Sequence, residues 1–141
     1  VIVMKEYKVR LKVAWHETDA ARVVHFSNYF KYFERAELEL YDSLGFNYAR
    51  TLKNSTMWFP RVEAHCKYLS PCEFNDEIEV IMNLAEMKEK SIKYNMRVFN
   101  LTTQKISAEG YITIVAVDRN IGKAVALPKD FAQAILKYFN Q

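Results

Sequence analysis

Glycine and proline are scarce, with three of each in 141 residues. That excludes collagen-like repeats, proline-rich linkers and low-complexity tracts, and each one present marks a boundary. Cysteine occurs twice, as Cys66 and Cys72, with no CxxC pair. A disulfide scaffold is excluded, no motif supports a catalytic thiol, and a reduced, cytoplasmic setting is the reading that follows. The three histidines, His16, His25 and His65, have no zinc-ligand spacing, so no metal is expected. Twenty Lys and Arg stand against 17 Asp and Glu, a net charge of +3. A dedicated nucleic-acid binder shows a clustered basic face, so no nucleic-acid partner is expected. No apolar run reaches bilayer length, so no membrane span is expected. The N-terminal "VIVMKEYK" has no signal-peptide layout, and Val1–Val3 ahead of Met4 leave an alternative start open.

Hydrophobic residues, at 50%, and aromatic residues, at 14%, are plentiful. The length suits one domain, 1–141, with one core. Tyr7, Val9, Leu11 and Val13 alternate with Lys8, Arg10 and Lys12, which predicts a strand over 5–15. A helix follows over 28–44, because Tyr29, Phe33, Ala36, Leu40 and Leu44 recur at spacings of three and four. Ser27 or Asn28 can cap it, and Gly45 stands where a left-handed residue ends it. A short helical turn is expected over 48–53.

Alternation then predicts four strands. In 61–68, Val62, Ala64, Cys66 and Tyr68 form a dry face. Residues 77–87 and 91–100 repeat the pattern, and "YITIVAV", within 105–117, is apolar on both faces as a central strand would be. Pro128 opens a last helix with Phe131, Ile135 and Tyr138 inward. The order predicts an α+β fold, an antiparallel sheet of about five strands wrapped on one long helix. Open sheet edges call for cover, often by a second copy, hence a homodimer or homotetramer.

The stretch "WHETDAARVVHFSNYF", residues 15–30, carries the chemistry. A turn that only connects needs glycine, proline or small polar residues. This one holds Glu17, Asp19, His16 and His25 at the entry to the helix. A helix start offers unpaired N–H groups and partial positive charge, which suit a developing oxyanion. A carboxylate beside such donors can activate water or attack a carbonyl directly. Acids ahead of a helix also serve as caps, and the residues alone leave both roles open.

"ETDAARVVHFSNYFKYFERAE" resembles the signature of the 4-hydroxybenzoyl-CoA thioesterase family of hotdog-fold proteins, through Glu17, Asp19, Val23, Val24, His25, Asn28, Tyr29, Phe33, Glu34 and Ala36. The later "FPRVEAHCKYLSPCEFNDEIEV" is similar to the family's second and third strands. The resemblance implies a hotdog acyl-CoA thioesterase with no cofactor, taking a coenzyme A thioester as substrate. Asp19 would be base or nucleophile, the N–H of Phe26 the oxyanion donor, and His25 a further proton-handling candidate. Asn28 and Tyr29 would lie against substrate, and Lys88 and Lys90 of "MKEKS" would meet the phosphates.

The aromatic residues Tyr29, Phe30, Trp58 and Phe59 suit an acyl pocket. Arg22 stands where many family members keep glycine. His25 precedes by one residue the position where some relatives carry histidine, matched here by Phe26. These departures leave an alternative: a hotdog protein that binds acyl-CoA or an acyl chain without turning it over.

Overall fold

A computed structural model of the chain describes residues 5–140, apart from the side chain of Leu52, so the alternative start at Met4 lies outside the described residues. Five antiparallel strands form the main sheet. They are β1 (Tyr7–Lys12), β3 (Arg61–Tyr68), β4 (Glu77–Met87), β5 (Ser91–Asn100) and β6 (Lys105–Val115), in the order β1-β4-β5-β6-β3. The helix α1 (Asn28–Ser43) packs on β1, β3 and β4. A short helix α2 (Tyr48–Asn54) follows it, and α3 (Lys129–Phe139) closes the described chain.

The helix α1 buries residues in adjacent pairs: Asn28 and Tyr29, Tyr32 and Phe33, Ala36 and Glu37, Leu40 and Tyr41. Four-residue spacing keeps these pairs on one face, and the pairing makes a stripe wide enough to cover a sheet. Opposite it lie Ile78, Val80, Met82, Ile92, Tyr94, Met96 and Val98, the predicted inward faces of β4 and β5. Gly45 adopts φ +89 at the end of α1, as its position predicted.

The structure corrects several sequence-based expectations. The first strand stops at Lys12, because the Glu17 carboxylate accepts from the Ala14 N–H at 2.7 Å and pulls Trp15–Glu17 into a 3-10 turn. The dry face predicted for 61–68 is open in the single chain: β3 is an edge strand, and Val62 is 61% exposed. The strand β6 is paired on both sides, by β5 and β3, as expected of a central strand, and β5 holds the middle of the sheet. In α3 the inner stripe is Phe131, Ile135 and Phe139. Tyr138 instead sends its hydroxyl to the Glu6 carbonyl at 3.1 Å. The strands β2 (Met57–Trp58), β7 (Val117–Asp118) and β8 (Lys123–Ala124) form a small second sheet, too short for alternation to reveal.

One glycine is required by close approach. Gly110 in β6 faces Cys66, and a Cβ there would run into the backbone carbonyl of His65.

Candidate active site

The turn between β1 and α1 is held from both sides. Val13 donates its N–H to the Asp76 carbonyl at 2.9 Å, which pins the end of β1 to the start of β4. The Asp76 side chain is itself buried, accepting from the Glu73 N–H and the Asn100 amide, each at 2.8 Å. Farther along, Val24 donates to the Cys72 carbonyl at 2.8 Å and His25 to the Glu17 carbonyl at 2.9 Å. Residues 14–25 are therefore laced to the sheet and to themselves.

The two acids of the turn have different surroundings. Glu17 points inward: its Oε1 accepts from the Ala14 N–H and, at 3.0 Å, from the Tyr32 hydroxyl. Burial, with the Glu17 carboxylate next, pushes the Tyr32 hydroxyl well above the ordinary tyrosine range, so it remains a donor. Asp19 points outward. One carboxylate oxygen accepts from the Ala21 N–H at 2.8 Å, the hydrogen bond of an Asx turn. Among the described residues no cation pairs with it. It lines an open cavity of about 400 Å³ together with Val24, Phe26, Tyr29, Tyr68 and Ser70. Arg22 closes the turn by donating its N–H to the Asp19 carbonyl at 2.9 Å, and its own backbone takes φ +69.

The helix mouth is uncapped by side chains. Ser27 occupies the cap position in a helical conformation, and its hydroxyl lies 2.8 Å from Nδ1 of His25. The Ser27 N–H also donates to that Nδ1, at 3.3 Å. Nδ1 is thereby the acceptor, which puts the proton of neutral His25 on Nε2. Asn28, nominated to touch substrate, is buried, and its amide donates to the Glu17 carbonyl at 2.7 Å. The first helical bonds run from Asn28 to the His25 carbonyl and from Tyr29 to the Phe26 carbonyl, at 2.9 and 3.4 Å. Among the described residues the Phe26 N–H meets no acceptor. Asp19, with one carboxylate oxygen unbonded, and Phe26, whose amide donor is unpaired among the described residues, thus line one cavity. That pair can polarise a carbonyl and deliver an oxygen nucleophile to its carbon.

The structure unites Asp19, Phe26 and Tyr29 in that cavity and sets His25 beside it, its ring stacked on Phe26 at 4.5 Å. Lys88 and Lys90 are elsewhere. They sit on the exposed hairpin after β4, where Lys88 pairs with Glu86 at 3.2 Å. The eleven residues of β4 separate that hairpin from the Asp19 end of the sheet, a run of roughly 33 Å. Phe30 lies 5.9 Å from Phe33 on α1, while Trp58 and Phe59 sit on the far side of the fold around β2. Among the described residues no three His, Cys, Asp or Glu side chains gather as a metal would need.

Two features escaped the sequence. Tyr68, read as one residue of a dry strand face, sends its hydroxyl to the Phe26 carbonyl at 3.0 Å. Glu37 lies fully buried in α1, paired with Arg61 of β3 and accepting from the Tyr41 hydroxyl at 2.6 Å. The only sequence sign of the second was an acid inside the apolar stripe. Burial pushes the Glu37 carboxyl up, with Arg61 and Tyr41 pulling the other way.

Comparison with known proteins identifies the family and the fold. The model of the thioesterase-like superfamily matches residues 13–135. The acyl-CoA thioesterase YbgC of Haemophilus influenzae is 27% identical over 124 residues, covering 88% of this chain and 90% of that protein. The crystal structure of the hypothetical protein AQ1494 from Aquifex aeolicus is 31% identical, covers 92% of this chain and 98% of its own, and superposes with a TM-score of 0.84. The structure of BH1999 gentisyl-coenzyme A thioesterase is 25% identical at a TM-score of 0.81, covering 91% and 98%. With an antiparallel sheet under α1 and a family match that spans nearly all of it, the chain belongs to the thioesterase-like superfamily and has the hotdog fold of these proteins.

Proposed function

We propose that the chain is a cytoplasmic acyl-CoA thioesterase, and that one observation carries the reading: Asp19 lines the same cavity as Phe26, whose N–H meets no acceptor among the described residues. The thioester oxygen accepts from the Phe26 N–H, which draws electron density from the carbonyl carbon. The Asp19 carboxylate takes a proton from water as the water oxygen attacks that carbon, or attacks it directly to form an anhydride that water then opens. The C–S bond breaks, coenzyme A leaves as a thiolate that gains a proton, and the acid is released. Family membership and the YbgC relative support this class of reaction. The aromatic rings of Phe26, Tyr29 and Tyr68 around Asp19 favour an acyl group with an apolar or aromatic face.

The lysines enter through a second copy. In β3 one edge pairs with β6 and the other pairs with no strand among the described residues. Two β3 strands paired antiparallel about a two-fold axis set the Arg61 end of one beside the Tyr68 end of the other. Val115 and Ala116 donate their N–H groups to the Pro60 and Lys90 carbonyls, so the lysine hairpin lies at the Arg61 end. A homodimer of this kind carries Lys88 and Lys90 of one copy toward the Asp19 end of the other.

A thiol-release assay across short, medium, long and aromatic acyl-CoAs, 4-hydroxybenzoyl-CoA included, tests the reading beside Asp19→Asn. The expected result is release by the parent and a loss of about 10²–10⁴ in kcat for Asp19→Asn with the fold retained. Equal rates in the two proteins would remove Asp19 from the chemistry. Tight acyl-CoA binding with no thiol release would replace the enzyme with a binding protein.

A further inference from the structure

We infer that Tyr68, on the free edge strand, is a positioning residue that aims the Phe26 N–H into the Asp19 cavity. The inference rests on the thioester reading above. The Tyr68 hydroxyl donates to the Phe26 carbonyl at 3.0 Å. Its ring meets the Phe26 ring edge-on at 6.5 Å and the Tyr29 ring edge-on at 5.1 Å. Phe26 is thereby held at its carbonyl and at its ring by a residue 42 positions away.

Beyond Tyr68, the Phe26 ring is held by the His25 ring stacked on it at 4.5 Å. Phe26 is 64% exposed, and the other bond to its carbonyl, from the Tyr29 N–H, is long at 3.4 Å. The Ser27 hydroxyl, which a helix cap would use, is turned to His25. The Phe26 N–H shares a rigid peptide plane with the His25 carbonyl, which accepts from the Asn28 N–H at 2.9 Å; with Tyr68 holding the Phe26 carbonyl and ring as well, the φ and ψ of Phe26 have little freedom. The direction of the Phe26 N–H is then set before any substrate arrives. Such preorganisation is what gives an oxyanion donor its effect, and a displacement of about 1 Å can cost about 10² in rate. The neighbouring Tyr32 cannot substitute, because its hydroxyl is committed to Glu17. Burial raises Tyr68 above the ordinary tyrosine range, which keeps its hydroxyl a donor at neutral pH.

Tyr68→Phe keeps the ring and removes the donor. The expected result is a kcat lower by about tenfold, a KM within about twofold of the parent and an unchanged Tm. The Phe26 amide, followed by NMR, shifts and exchanges with solvent faster. Tyr68→Leu also removes the ring contacts and loses more kcat. A Tyr68→Phe protein with parental kcat and an unmoved Phe26 amide overturns the inference, while loss of activity in Asp19→Asn leaves the thioester reading standing. A Tyr68→Phe protein with a lowered Tm and disturbed kcat and KM together marks Tyr68 as merely structural and also overturns it. Where the parent itself releases no thiol, the thioester reading fails, and the Phe26 amide alone decides whether Tyr68 sets the donor: a shift supports it and none overturns it.

Discussion

At the residue scale, the turn is built by assigning unlike tasks to like groups. Glu17 and Asp19 are two residues apart, yet one is tied by the Ala14 N–H and the Tyr32 hydroxyl and the other is left facing a cavity. Glu17→Ala strands the buried Tyr32 hydroxyl and frees the Ala14 N–H, so it should cost about 2 kcal/mol in chemical denaturation. Asp19→Asn should leave that midpoint close to the parent's and remove turnover. Arg22 gives the opposite case. It holds φ +69, a left-handed conformation that costs a residue with a Cβ roughly 1–2 kcal/mol. Glycine relieves that strain but makes the unfolded chain looser by about 0.4–1 kcal/mol. Relief is the larger effect, so Arg22→Gly should stabilise the protein by about 0.5–1 kcal/mol. Retention of Arg22 against that gain would be explained by a higher KM for coenzyme A thioesters in Arg22→Gly. An unchanged KM and a lower Tm would show that the turn prefers arginine for another reason.

At the element scale, what was legible in the sequence follows from what each element buries. Helix α1, β4 and β5 each bury one regular face against the core, so spacing alone marked them. Strand β3 alternates in the same way, but among the described residues most of that face stays exposed, with Cys66 alone of its four residues partly buried. Asp19 and the helix mouth were legible because a polar turn entering an apolar helix is a local feature. The Tyr68 contact was not, since it spans 42 positions and depends on the crossing of β3 and α1. Glu37 was hidden for the same reason, its partner Arg61 being 24 positions away. Arg61→Met would leave that carboxyl buried without its cation, at a cost of about 3 kcal/mol. Pairing it with Glu37→Leu should recover most of the loss. The sign with pH is definite: burial raises the folded pKa above the unfolded one, so the folded state holds the proton more tightly. Stability of Arg61→Met should therefore fall as pH rises from the unfolded carboxyl pKa through the raised folded one, and the double variant should show no such slope from this site. Gly110→Ala tests the β3–β6 seam directly. The added methyl meets the His65 backbone and should cost about 2 kcal/mol, read as a lower unfolding midpoint.

At the scale of the whole molecule, the single chain separates the residues proposed for its site. Asp19 and Phe26 occupy one end of the sheet, and Lys88 and Lys90 the other, with β4 between them. The free edge of β3 offers the repair, since an unpaired strand edge is a template for a second strand. Beside it Trp58, Val62, Tyr68 and Leu69 are exposed, an apolar margin suited to burial by a copy of itself. The parent should therefore sediment as a dimer or a dimer of dimers, and Val62→Lys should shift it toward monomer. Subunit mixing then asks whose lysines serve which site. Asp19→Asn retains good lysines and lacks the carboxylate; Lys88→Ala/Lys90→Ala retains the carboxylate and binds coenzyme A thioesters weakly. If the lysines act across the dimer, a mixed dimer holds one site with both Asp19 and intact lysines, and a parental KM reappears in about half of its sites. If they act within their own chain, every site in the mixed dimer is defective and mixing restores nothing. Measuring rates at low acyl-CoA after unfolding and co-refolding the two variants separates the outcomes, because the first gives a gain that neither homodimer shows.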